Sequence, residues 1–224
     1  LVSAVNHEIR TPLTSIQASL GLLKMKISSA HDPQCNKLID ISYKNSQKLG
    51  MLVNDILDIE KIAAGKMSYY WQEVNICPLV KDIVSRNVGY ATKHDVGLDV
   101  MQETRKAICR IDVNRFEQAL TNLISNAVKF SPSKDVVIVT VALKGKNKVR
   151  ISVRDNGEGI APDHYDKIFA KFLQIDNPTT REKGGTGLGL NISKSIIEAF
   201  NGKIDFDSKL NVGTVFYIEL PIIT

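Results

Sequence analysis

Two short segments of this 224-residue chain hold six of its 14 glycines, and both have the composition of a phosphate cradle. The first, Asp155-Asn156-Gly157-Glu158-Gly159, follows a run of alternating apolar residues. The second, Gly184-Gly185-Thr186-Gly187-Leu188-Gly189-Leu190, precedes a run with helical spacing. Glycine reaches positive φ and lets a backbone N–H approach a ligand with no Cβ between them. A glycine-rich turn that opens a helix suits an anion, because the orphan N–H groups and the helix dipole both favour negative charge. The chain has no Gly-Lys-Ser/Thr, so this is not a P-loop. Gly185-Thr186-Gly187-Leu188-Gly189 also lacks the preceding strand of a dinucleotide fingerprint. Alone, either segment also reads as a flexible turn; as a pair on these element types they are much harder to read that way.

A third group lies upstream. Asn122, Asn126 and Lys129 are spaced by four and three, so they share one face of the helix expected from Asp112 to Phe130. Asparagine is a mediocre helix former, and two on one face of an apolar helix need a reason. Either they are solvated or capped amides, or they supply an amide oxygen for Mg²⁺ beside an ammonium for phosphate. Mg²⁺ takes few protein oxygens and keeps its waters and substrate phosphates.

The elements that must hold these groups fall into two halves of different periodicity. Residues 1–64 read as a helical hairpin. Ile9, Leu13, Ile16, Leu20, Leu23 and Ile27 step by four and three as in a coiled coil, and Ser28 to Pro33 breaks the pattern. Leu49, Leu52, Ile56, Ile59 and Ala63 form the expected second seam. Val53, Leu57 and Ile62 widen the stripe beyond what one partner helix covers. A second copy would cover it as a homodimeric four-helix bundle; the alternative cover is the second half of the same chain. Residues 65–72 read as a linker, with Gly65 as a C-cap.

From residue 73 to 224 the pattern is α+β, a mixed sheet packed on helices. A strand end at Val74 leads into a helix, and Val96–Val100 reads as a short strand. Asp112 caps the helix that ends before Pro132. Val136–Leu143 and Val149–Asp155 form a hairpin around Gly145-Lys146-Asn147. A helix from Gly187 to Phe200 and two strands, Lys203–Asp207 and Thr214–Leu220, close the chain.

Composition narrows the class. Hydrophobic residues make up 43% and charged residues 24%, as in a globular protein. The net charge of +5 is spread out, and Lys144, Lys146 and Lys148 read as a hairpin turn, so no nucleic-acid partner is expected. No apolar run approaches the roughly 20 residues that span a bilayer. With Leu1 first and no leader, the chain reads as an excised fragment, cytoplasmic and without membrane contact of its own, from a parent that is itself free or membrane-anchored. Cys35, Cys77 and Cys109 are odd in number and far apart, which suits buried thiols in a reducing compartment.

The three site elements, in this order, resemble the ATP-binding domain of sensor histidine kinases, within the wider GHKL ATPase group. Ile168-Phe169-Ala170-Lys171-Phe172 is a further matching box. Asn6-His7-Glu8-Ile9-Arg10-Thr11-Pro12-Leu13 resembles the family's phosphoacceptor box. The resemblance implies ATP and Mg²⁺ as cofactors, with Asn126 as metal ligand and Asn122 supporting the phosphates. It places Lys129 toward phosphate and Phe130 in the nucleotide pocket, where the family often has Tyr. Asp155 would accept from the adenine amino group. Gly157 and Gly159 would leave room for the base and start a mobile lid over residues 160–184. The segment Gly185-Thr186-Gly187-Leu188-Gly189 would supply its second hinge and the phosphate-facing backbone. Gln174 departs from a common Arg.

The resemblance further implies transfer of the ATP γ-phosphoryl group to Nε2 of His7, with Glu8 holding the Nδ1 proton. His31, His94 and His164 read as solvated surface residues. Pro12 crowds the carbonyl of Glu8 one turn back and weakens the helix just below His7. The phosphoryl group would pass to an aspartate of a response-regulator receiver domain, and Thr11 would orient a water that later dephosphorylates the regulator. The alternative is a clamp-type ATPase of the same group, which carries Glu where Asn122 stands. An amide is a poor base for hydrolysis.

Overall fold

The first half closes through a stripe that is not its most apolar one. In the computed structural model, described over residues 13–14, 16–23, 33–171, 173 and 187–223, the chain forms two units, 1–67 and 68–224. In the first, residues 13–14 and 16–23 are helical, and helix α1 runs Pro33–Ala63. Gln17 Nε2 donates to the Ser46 carbonyl at 2.9 Å. A Cβ on Gly50 would sit 3.1 Å from Gln17 Nε2 and 3.5 Å from Leu13 Cδ2. The helices therefore meet at Ser46 and Gly50. Of the expected seam Leu49, Leu52, Ile56, Ile59 and Ala63, Ile59 is buried and Leu52 half-buried, while Leu49 and Ile56 are corrected to the outside, 51% and 45% exposed. Close approach favours the small residues Ser46 and Gly50, and it turns the larger apolar stripe outward.

The second unit is an α+β sandwich. Its elements are β1 (Gln72–Asn75), α2 (Ile76–Lys93), β2 (Gly97–Gln102), β3 (Ile108–Ile111), α3 (Val113–Phe130), β4 (Val136–Lys144), β5 (Lys148–Asp155), a 3₁₀ turn (Pro162–Lys167), α4 (Gly189–Ala199), β6 (Lys203–Lys209) and β7 (Gly213–Pro221). The main sheet has the order β2-β4-β5-β7-β6, with β2 parallel to β4 and the other pairs antiparallel. β1 and β3 form a separate antiparallel ribbon.

Period-2 alternation sends Val137, Val139 and Val141, Val149, Ile151 and Val153, and Phe216, Ile218 and Leu220 to the buried face. α3 and α4 pack against each other and against the sheet. The inward stripe of α3 is Phe116, Leu120, Leu123, Ile124 and Ala127, all buried. Each large side chain so buried contributes about 2 kcal/mol relative to exposure. On the opposite sheet face Arg150 pairs with Glu219 and stacks 4.0 Å over Tyr217.

Three expectations shift. β3 was not anticipated, since four residues carry little pattern of their own and its partner β1 is distant in sequence. α4 starts at Gly189 and not Gly187, because Gly187 lies at φ 69°, outside the right-handed helix. Of the expected linker, Tyr69 and Trp71 stack on Phe200 and Tyr70 N–H donates to Asp112, so this stretch is fastened into the second unit. Cys77 and Cys109 are free and buried; burial raises both thiols, Cys109 to about 12.

Candidate nucleotide site

Asp155 ends β5 in phase with Val149, Ile151 and Val153, so strand parity turns its carboxylate toward the helix layer. It is 6% exposed. Its Oδ1 accepts from the N–H of Gly157 at 2.9 Å and of Thr214 at 3.2 Å. Burial raises its pKa from 3.8 to about 6; the two N–H donors oppose that rise, and the charge of Asp135 adds to it. Asp135 also accepts from Asn156 Nδ2 at 3.1 Å.

The loop after Asp155 is pressed against α3. A Cβ on Gly157 would lie 2.5 Å from the carbonyl oxygen of Phe130, the last residue of that helix. Gly157 is thus required by protein backbone and not by room for a ligand. On the start of β7, Gly213 at φ 133° lies against the backbone of Asp155 and Asn156. Gly159 turns the other way: at φ 70° it abuts the Lys209 carbonyl, on the β6–β7 hairpin.

α3 carries the remaining groups. Asn122 Nδ2 donates to Ser193 Oγ of α4 at 3.0 Å, and Gly189 rests against the same amide. Asn122 is therefore committed to holding α4. One turn on, Asn126 is half-buried and has no side-chain hydrogen bond among the described residues. Lys129 Nζ lies 4.7 Å over the Phe130 ring. The N-cap of α4 is Leu188, which has no side-chain acceptor to satisfy the first-turn N–H groups.

The structure thus gathers Asp155, Gly157 and Phe130 at one end of α3, and Asn122, Leu188 and Gly189 where α3 meets α4. Gly159 is not brought to α3. His7, Glu8, Thr11, Gly185, Thr186 and Gln174 lie outside the described residues. The lid expected from Ile160 is corrected in its first part. Ile160 N–H donates to Ser208 Oγ at 2.9 Å, and Tyr165 OH donates to the Ser208 carbonyl. Tyr165 and Phe169 pack on Phe206, and Asn191 Nδ2 holds the Phe169 carbonyl at 2.9 Å. Residues 160–171 are fastened to the β6–β7 hairpin and to α4.

Sequence reasoning missed Ser193, Thr214 and Gly213. Ser193 had a signal: it stands one helical turn after Gly189, a polar residue within an apolar run. Thr214 had none, because its role depends on the pairing Asp155↔Thr214 between distant strands.

These groups fit a nucleoside triphosphate with its magnesium ion. Asn126 offers a spare amide oxygen, the start of α4, which has no side-chain cap, offers N–H donors to phosphate, and the Asp155 carboxylate offers a buried acceptor for an amino group.

Residues 1–65 match the family model of the His Kinase A (phospho-acceptor) domain, and residues 111–224 that of the histidine kinase-, DNA gyrase B- and HSP90-like ATPases. The sensor protein SrrB of Staphylococcus aureus is 32% identical over 222 residues, which are 98% of this chain and 37% of SrrB. The chain thus spans little more than a third of that relative. Full-length ShkA, solved in complex with AMPPNP, aligns over 100% of this chain and 46% of its own, with TM-score 0.82 and 27% identity. The histidine kinase AdeS of Acinetobacter baumannii shares the fold at TM-score 0.67 and 22% identity, over 97% of this chain and 98% of its own. Among the described residues no helix is long and apolar enough to cross a membrane.

Proposed function

Because the chain belongs to the histidine kinase-, DNA gyrase B- and HSP90-like ATPase family and carries a phospho-acceptor domain ahead of it, as the catalytic core of a sensor histidine kinase, we propose that it phosphorylates itself on His7 from ATP and passes the phosphoryl group to a response-regulator aspartate. The observation that carries this reading is the presence of both matched domains in one chain, 1–65 and 111–224. We assign residues 1–64 to dimerisation and phosphoacceptance, 65–72 to the link between domains, and 73–224 to nucleotide binding.

In this reading Asp155 accepts from the adenine amino group through the oxygen that Gly157 and Thr214 leave open. Phe130 lines the pocket, and Lys129 reaches toward phosphate. The backbone of Gly185, Thr186, Gly187, Leu188 and Gly189 faces the phosphates, and Gly157 and Gly159 shape the loops beside them. Asn126 holds Mg²⁺, which when bound neutralises charge on the phosphates. Nε2 of His7 attacks the γ-phosphorus, the bond to the β,γ-bridging oxygen breaks, and ADP leaves. Glu8 takes the Nδ1 proton as the ring becomes charged, and Thr11 orients a water for later dephosphorylation of the regulator. The core works as a homodimer on the cytoplasmic side, with a receiver domain as its partner. Asn122 supports this over simple hydrolysis. Its amide donates to Ser193 and supplies no base for water.

Incubation with γ-labelled ATP and Mg²⁺, beside His7→Ala, tests the reading. An acid-labile, base-stable label absent from His7→Ala is expected. Phosphate release without labelled protein would replace it with an ATPase, and label retained in His7→Ala would move the acceptor elsewhere.

A further inference from the structure

The entry of the second unit grips both helices that carry the site, at their ends away from it. Tyr70 N–H donates at 2.8 Å to Asp112 Oδ2, while Asp112 Oδ1 caps α3 through the Arg115 N–H at 3.1 Å. Tyr69 and Trp71 stack on Phe200 with ring centroids 5.8 and 5.5 Å away, and on each other at 5.4 Å. Phe200 closes α4 and is 2% exposed. Arg110 of β3 covers Trp71 at 5.8 Å. From Phe200, α4 runs 11 residues back to Gly189, about 16 Å of helix. Three stacked rings on one end of so short a rod fix its tilt, and the other end is the N-terminus that meets Asn122.

We propose that Trp71 is a positioning residue for the nucleotide site, acting through Phe200 on the lie of α4 against α3. Segment 69–71 lies immediately after the boundary at Met67 and Ser68, at the entry of the second unit. Coupling of this kind travels through packed side chains and rigid elements and has a typical strength of 0.5–2 kcal/mol, which corresponds to about 2- to 30-fold in affinity. The inference rests on the reading that the start of α4 faces phosphate.

The first test uses no nucleotide. Amide hydrogen exchange is compared for the wild-type chain, Trp71→Ala and Trp71→Phe. Faster exchange at residues 192 and 193, the first amides bonded within the turn at the start of α4, is expected in Trp71→Ala and is restored in Trp71→Phe. A change confined to residues 69–71 and 199–201 overturns the proposal, because a merely local packing role predicts that result. Tyr69→Leu, which leaves Trp71 in place, gives the same comparison if Trp71→Ala does not fold.

The second test uses AMPPNP with calorimetry. Trp71→Ala should weaken binding about 3- to 10-fold, with Trp71→Phe near wild type. Equal affinity in Trp71→Ala overturns the proposal. Trp71 is the only tryptophan in the chain, so its emission should change with the calorimetric midpoint; a flat signal with binding intact also overturns it. Absence of AMPPNP binding by the wild-type chain would remove the nucleotide-site reading, and the exchange result would still decide whether Trp71 controls α4.

Discussion

Gly189 rests its Cα on the side-chain amide of Asn122, so the first residue of α4 and the middle of α3 share one contact. A Cβ there would lie 2.6 Å from Nδ2 and 2.8 Å from Cγ, closer than real side-chain contacts allow. The Asn122 amide cannot swing away freely, because it also donates to Ser193. Gly189→Ala should therefore push α4 off α3 at the phosphate-facing end. We expect a loss of about 1–3 kcal/mol in urea denaturation and at least tenfold weaker nucleotide binding, about 1.4 kcal/mol. Asn122→Ser in the same chain should recover part of the stability. Wild-type nucleotide affinity in Gly189→Ala would remove the contact from the site's working parts.

The Asp155 carboxyl carries a pH signature. Its folded pKa of about 6 lies above the ordinary 3.8. Between these values the folded chain keeps a proton that the unfolded chain releases. Stability from this group is therefore greatest below about pH 4 and is lost as pH rises through 6. At pH 7 the cost is about 3 kcal/mol, the shift from 3.8 to about 6 taken at about 1.36 kcal/mol per unit. Asp155→Asn keeps Oδ1 for the N–H groups of Gly157 and Thr214 and removes the charge. It should raise the denaturation midpoint at pH 7, with the gain gone near pH 4. The Asn amide nitrogen would then face the adenine amino group, donor against donor, so nucleotide binding should fall at least tenfold, about 1.4 kcal/mol. Wild-type binding should weaken as pH drops below 6. A pH-independent stability difference would show that burial does not set this pKa.

What the sequence made legible follows from what is local. The β4 and β5 alternation, the Asp112 cap and the Asn122–Lys129 face are short-range patterns, and each stands where its spacing indicated. β3 and the parallel pairing of β2 with β4 were not legible, because they depend on partners far along the chain. Leu49 and Ile56 of the helical seam face outward for a different reason. Hydrophobic spacing selects the largest apolar stripe, while the helices of one chain meet at Ser46 and Gly50, where small size matters more than apolarity. At the site, the glycines were legible as a class. Their individual reasons were not: Gly157 answers to the Phe130 carbonyl and Gly159 to that of Lys209.

Asp112 ties two structures together with one side chain that is 3% exposed. Both oxygens are used, one for Arg115 N–H and one for Tyr70 N–H. Asp112→Ala leaves both donors without their acceptor and should cost about 2 kcal/mol or more. Asp112→Asn keeps one acceptor and should cost roughly half as much. The measurement is the denaturant midpoint with the slope unchanged. A cost within about 0.5 kcal/mol for Ala would mean that water replaces the carboxylate.

The outward stripe on α1 yields the last prediction. In a single copy Leu38, Leu49 and Ile56 are all exposed, Leu38 by 61% and Leu49 by 51%. A monomer that left this stripe in water would forgo about 25 cal/mol for every Å² of apolar surface it could bury. A second copy offers the same stripe in a self-complementary arrangement. Light scattering at micromolar concentration should therefore report a dimer. Ile56→Glu places a charge in the middle of the stripe, where pairing across the two-fold axis would set like charges together without solvent. It should give a folded monomer, with the helical circular-dichroism signal retained. The Gln17–Ser46 and Leu13–Gly50 contacts lie on another face of α1, so a mere surface role for Ile56 predicts no change in mass. Dimer mass retained in Ile56→Glu would assign the stripe to a different partner.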